Sequence, residues 1–157
     1  TVEHYVRRGR LMDPEVRSPE MAEKTGVFVS LKKHGQLRGC IGTFEPMHAN
    51  VADEVIHNAI SAATRDPRFL PVQAEELADL DYSVDILTPP EPIDSLDQLD
   101  PKRYGVIVEC GERRGLLLPD LEGVDTAERQ VDIARRKAFV GNHEPVQLFR
   151  FEVRRFR

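Results

Sequence analysis

An α+β fold, with a mixed and largely antiparallel sheet packed against helices, is predicted by three observations. Val27-Phe28-Val29-Ser30-Leu31 and Leu37 to Thr43 read as two strands joined by the turn Lys33-His34-Gly35-Gln36. Two later segments carry apolar residues at helical spacing. The remaining strand signals are short and separated by turn or proline residues. No internal repeat is present. At 157 residues the chain can bury one real core but is too short for two ordinary domains. A compact single domain over 1–157 is expected, open to a two-lobed build with a boundary near 88–93.

In chain order, Val2 to Arg10 is charged and apolar by turns and reads as the end of a helix. Met12 to Lys24 holds Pro14 and Pro19 and suits an irregular connection. After the hairpin, Val51, Val55, Ile56, Ala59, Ile60 and Ala63 form one stripe of a helix starting at Asn50. This helix stops before Asp66-Pro67-Arg68-Phe69, where the proline disfavours helical geometry at Asp66 and Phe69 is expected to anchor the turn in the core. Tyr82, Val84 and Ile86 alternate with Ser83 and Asp85 in a strand, and Pro89, Pro90 and Pro92 then stop regular pairing. Tyr104–Cys110 and Arg114–Leu118 read as two strands around Gly111-Glu112-Arg113. Asp125 to Phe139 reads as a helix capped by Asp125 or Thr126. Val146 to Phe156 is strand-like, with a change of face near Phe149 that predicts a bulge.

Composition narrows the function classes. Hydrophobic residues make up 40% and charged residues 31%, and the net charge of −5 argues against a general nucleic-acid binder. Arg154, Arg155 and Arg157 cluster at the C-terminus and read as a solvated end. Two cysteines are no disulfide framework, and no apolar run reaches the length of a membrane span, so a reducing, cytoplasmic setting is expected. The chain opens at Thr1 without an initiator methionine or a signal-peptide pattern and reads as truncated or processed.

The best candidate site is Leu37-Arg38-Gly39-Cys40-Ile41-Gly42-Thr43. In a regular strand, Arg38, Cys40 and Gly42 share one face, while Leu37 and Ile41 face the core. That arrangement sets a thiol beside a fixed positive charge, which favours the thiolate, and the glycines allow a ligand or another backbone to come close. The alternative is structural: free cysteine is among the most buried residue types, and glycines mark bulges and tight packing.

The same heptapeptide resembles the signature of the AMMECR-one domain family. Gly26–Leu31, Asp66-Pro67-Arg68-Phe69, Leu87–Ile93 and Gly115–Pro119 agree with it in order and approximate spacing. The resemblance implies an α+β protein with a site in the signature segment. It also implies membership of the AmmeMemoRadiSam system, in which such proteins are grouped with Memo-like and radical S-adenosylmethionine proteins. It carries no particular reaction.

The residues add limited chemistry. Five histidines and two cysteines show no zinc-ligand spacing, so no metal is expected. His48 and His57, nine positions apart, would point to nearly opposite sides of a single helix. Catalysis through Cys40 would draw on Arg38 to stabilise a thiolate, with His143 as a weaker candidate base. Gly39, Gly42, Thr43 and Arg68 are candidates for substrate binding, while Glu45 and Asp66 read mainly as surface and turn residues. Cys110 reads as packed or incidental, and Arg113-Arg114 as a solvated turn. There is no dinucleotide fingerprint, phosphate loop or cluster-binding cysteine set, so no cofactor is expected. Three readings follow: an enzyme or enzyme component working through Cys40 on a small or protein-borne substrate, a noncatalytic adaptor of the same pathway, and a nucleic-acid-associated regulator, which the acidic balance disfavours.

Overall fold

The computed structural model describes all of residues 1–157. Residues Thr1–Leu87 together with Arg154–Arg157 form one unit, and Thr88–Val153 form a second. Each unit has its own four-stranded sheet, so the fold is α+β with the strands divided between two sheets.

The first unit opens with α1 (Val2–Arg8), closed by Gly9 in the left-handed region at φ 67°, whose amide donates to the Tyr5 carbonyl. Within the proline-bearing segment expected to be irregular, Pro19–Ala22 forms a single helical turn, α2, with proline at its start, where the missing N–H costs nothing. The hairpin follows as β1 (Val27–Lys33) and β2 (Gln36–Thr43). His34 and Gly35 both have positive φ, the two-residue connection that matches strand twist. α3 (Val51–Thr64) is capped by Asn50, whose side chain accepts from the Asp53 amide. A 3₁₀ segment (Ala74–Asp79) leads into β3 (Leu80–Leu87). Sheet order is β2-β1-β3-β8, where β8 is Val153–Phe156. α3 lies on β1 and β2. Val27, Val29 and Leu31 are buried among Val51, Ala59, Ala62 and Ala63. Fully burying each such Val or Leu side chain stabilises by roughly 1.5–3 kcal/mol.

The second unit contains β4 (Glu91–Ile93), β5 (Gly105–Cys110), β6 (Arg113–Leu117), α4 (Ala127–Lys137) and β7 (Gln147–Phe151), in the order β4-β7-β5-β6. Two expectations change here. The prolines do not end pairing: Pro92 sits opposite Phe149 in β4, an edge strand, where the absent N–H disturbs no ladder. The last strand breaks at Glu152, not near Phe149, and its two halves join different sheets; the Glu152 amide donates to Thr88 Oγ1 and its carbonyl accepts from the Thr88 amide, both at 2.9 Å. α4 is capped by the Thr126 side chain and packs on β5 and β6.

The C-terminal arginines are not simply solvated. Arg155 makes a two-point ion pair with Asp85, which is 4% exposed, and Arg154 pairs with Glu23. No helix of the chain is long and apolar enough to cross a membrane.

Candidate functional site

The signature segment is β2, at the edge of the first sheet. Its register with β1 is regular from Thr43 back to Gly39, then shifts: Gly39 opposes Leu31, Leu37 opposes Lys32, and Arg38 is left unpaired. This β-bulge breaks the alternation on which the shared face of Arg38 and Cys40 rests. The Arg38 guanidinium runs to Glu76, with Nε donating to Oε1 at 3.0 Å and Nη2 to Oε2 at 2.9 Å. Lys33 Nζ and the Gln73 amide add two further bonds to the same carboxylate. Arg38, foremost, and then the Gln73 amide hold the Glu76 carboxyl down at about 2. The charge expected at the thiol therefore serves Glu76. Cys40 instead accepts from the Ser30 hydroxyl, with Oγ 3.2 Å from Sγ.

Cys40 is held through its own peptide. Because it opposes Ser30 on an edge strand, its N–H and C=O need partners outside the β1–β2 ladder. The Cys40 amide donates to Asp66 Oδ2 at 2.9 Å, and its carbonyl accepts from Arg68 Nη2 at 3.2 Å. Asp66 and Arg68 are locked together by the Arg68 amide and Nε on Oδ1, at 3.1 and 2.9 Å, and by Nη2 on Oδ2 at 2.6 Å. Arg68 outweighs burial and holds the Asp66 carboxyl well below the usual aspartate range, with the Cys40 amide adding to the effect. Asp66-Pro67-Arg68 thus completes the sheet edge in place of a fifth strand. Phe69 is half-buried, with the Arg38 and Arg68 guanidinium groups over its ring at 5.9 and 5.5 Å, and is not in the core.

Leu37, expected to face the core with Ile41, is exposed beyond the bulge, whereas Ile41 packs against the core. Gly39, Gly42 and Thr43 face α3 or β1. A Cβ on Gly39 would lie 2.2 Å from the Ala62 carbonyl oxygen, so the backbone that approaches this glycine belongs to α3. A Cβ on Gly42 would meet the Phe28 ring at 2.2 Å. Thr43 donates to the carboxyl of Glu54 and accepts from Asn58 Nδ2 at 3.3 Å. Glu54, fully buried, also accepts from the Met47 and His48 amides at 3.0 and 2.8 Å, which pins the loop leaving the signature. In sequence, Glu54 and Asn58 show the only available signal of this network: polar residues four apart on the helix face that carries Val51 and Ala62.

His48 precedes the Asn50 cap and is not helical, so the opposite-sides geometry does not apply; its ring stacks on His57 with centroids 3.9 Å apart. His57 Nδ1 lies 2.9 Å from the Asp53 carbonyl. His143 belongs to the second unit, in the turn after α4, and Cys40 to the first. Cys110 is half-buried beside Arg113 and Glu144, and the Arg113 side chain is exposed.

These features define an α+β protein whose cysteine-bearing edge hairpin is clamped by an Asp-Pro-Arg turn. The AMMECR1 family model matches residues 1–156, and the chain belongs to that family. A protein of Thermotoga maritima is 51% identical over 160 residues, covering 99% of this chain and 92% of its own length. A protein of Clostridium acetobutylicum is 50% identical over 154 residues, covering 96% of this chain but 33% of its own length. The match to a Thermococcus gammatolerans protein, at 46% identity over 131 residues, covers 76% of this chain and 63% of that one. The crystal structure of an uncharacterized protein from Pyrococcus horikoshii has a TM-score of 0.87 at 33% identity, covering 98% of this chain and 84% of its own.

Proposed function

We propose that this chain is the AMMECR1 component of a multi-protein system of the AmmeMemoRadiSam kind, and that its Cys40 face holds a small or protein-borne substrate, with Cys40 as the reactive thiol. The observation that carries the reading is the two-sided grip of Asp66 and Arg68 on the Cys40 peptide, with the Ser30 hydroxyl aimed at the sulfur. A thiol held at a defined position by rigid elements is what a substrate-handling site requires. The reading invokes no cofactor and a cytoplasmic setting. Memo-like and radical S-adenosylmethionine proteins are the proposed partners.

A noncatalytic adaptor is the second reading, favoured by one observation: the Arg38 guanidinium is engaged with Glu76 and not with the thiol. Reconstitution with the proposed partners separates the two. Under the first reading, Cys40→Ser abolishes product formation while the assembly survives; unchanged product formation refutes it and leaves the adaptor. Loss of all binding by the correctly folded natural chain would refute both.

A further inference from the structure

Helix α4 ends in a way that its sequence does not favour. The Val140 amide donates to the Arg135 carbonyl at 2.9 Å and the Phe139 amide to the Arg136 carbonyl at 3.1 Å, the paired bonds of a Schellman cap. This cap sets Phe139 at φ 55°, in the left-handed region where glycine is the usual residue because a Cβ is strained there. Its neighbours Ala138 and Val140 are buried, whereas Phe139 is 87% exposed, more than any other large hydrophobic residue of the chain. The ring is carried on a fixed backbone, with the Phe139 carbonyl accepting from Arg113 Nη1 at 2.8 Å. An aromatic side chain held out in this way costs little to order on binding, which suits an interface anchor. The same guanidinium ties this knob to a hole: Arg113 Nη2 lies 3.4 Å from Cys110 Sγ, on the wall of a surface groove of about 410 Å³. Glu109, Cys110, Gly111, Pro145, Val146 and Gln147 line the groove, all in the same unit as Phe139. Pro145 and Val146 give it an apolar wall. At its exposure the Phe139 ring does not fill the groove of its own chain. The two rims differ in sign: the last turn of α4 carries Arg135, Arg136 and Lys137, and the groove is bordered by Glu109 and the exposed Glu112. Arg136 and Glu109 keep partners within the chain, Asp132 and Arg114, so the rims set orientation while the ring carries the affinity.

We propose that this chain forms a two-fold symmetric dimer in which Phe139 of each copy enters the groove beside Val146 of the other. A surface that carries both a knob and its hole is self-complementary, and a two-fold axis between them makes both junctions at once, so the assembly closes at two copies. Each buried ring removes roughly 150–250 Å² from water, and the two insertions together roughly 300–500 Å². A specific interface needs about 1,200 Å² at its small end, so the rims supply the remainder and the dimer dissociates on dilution. The dimer accounts for both oddities of Phe139, since association buries the ring and offsets the strain of its cap. Cys110 acts here as part of the groove wall, and the proposal does not rest on the Cys40 reading.

Sedimentation equilibrium of the full chain, from micromolar to millimolar concentration, tests the proposal. The expected result is a reversible monomer–dimer equilibrium with no larger species, weakened about tenfold or more by Phe139→Gly. Glycine accepts the left-handed cap, so Phe139→Gly is expected to melt at or above the temperature of the natural chain, which separates loss of the anchor from loss of the fold. Gln147→Arg, at an exposed strand position on the groove wall, is expected to weaken the dimer to a similar extent with Phe139 in place. A natural chain that stays monomeric throughout this range overturns the proposal, as does a dimer that Phe139→Gly leaves unchanged. A dimer weakened by Phe139→Gly but not by Gln147→Arg overturns the groove as the receiving site, and growth beyond the dimer overturns the two-fold geometry.

Discussion

Replacing Asp66 by Asn tests whether the Asp-Pro-Arg turn is what holds Cys40 in place. Asp66 is 4% exposed and accepts from the Cys40 amide, the Arg68 amide and two Arg68 guanidinium nitrogens. The carboxamide keeps the shape but loses the charge, and its NH₂ must face donors. Leaving the Cys40 amide without a good acceptor costs about 1–3 kcal/mol. The Arg68 side chain is 54% exposed, so losing the ion pair itself adds only about 1 kcal/mol. The sum is about 3 kcal/mol, large against the 5–15 kcal/mol typical of whole domains. Urea unfolding at pH 7 reads this directly, and hydrogen exchange at the Cys40 amide reads it locally. The same residue sets a pH dependence. The folded value of Asp66 lies below its ordinary 3.8, so its contribution is fully present above that value and is lost as pH falls through the depressed folded value. The cost of Asp66→Asn therefore shrinks below about pH 4. A cost under about 1 kcal/mol at pH 7, with unchanged exchange at Cys40, would refute the clamp.

Three further outcomes follow from the same geometry. Gly39→Ala places a Cβ 2.2 Å from the Ala62 carbonyl and is expected to cost about 2–3 kcal/mol in chemical unfolding, because α3 backbone must move; a neutral substitution would mean that the helix does not sit on this glycine. Glu54→Gln is expected to cost about 1–3 kcal/mol. Combining it with Thr43→Val should give less than the sum of the two single effects, since both act on one buried network; strict additivity would argue that they are independent. Glu76→Gln removes a carboxylate whose value drops from 4.5 to about 2 on folding. Its contribution is complete above pH 4.5 and fades as pH falls toward 2, so thermal melts of the natural and variant chains should differ at pH 7 and converge in acid. A gap that persists at pH 2 would assign the effect to shape and not to charge.

The sequence by itself determined the α+β class, the hairpin at β1 and β2, the α3 stripe and the α4 helix, with its cap left between Asp125 and Thr126, because each depends on neighbours in the chain: strand period, helical period and turn residues. It also identified the family through several short segments in one order. The faces of β2 were not legible, because the bulge at Arg38 depends on how β2 pairs with β1 and not on any local preference. The ion partners were hidden for the same reason. Arg38 lies 38 residues from Glu76 and Cys40 lies 26 from Asp66, separations across which no periodicity acts. The complete burial of Glu54 was likewise not legible, since the fold alone brings the Met47 and His48 amides to its carboxyl. At Cys110 the arginine was close in sequence, but only the packing of the turn after α4 brought in Glu144 to orient it. The sequence named the cysteines; tertiary structure decided what each one touches, the Arg68 guanidinium on the Cys40 carbonyl and the Arg113 guanidinium on the Cys110 sulfur, because strand register and the demand for buried ion partners are settled by contacts distant in the chain.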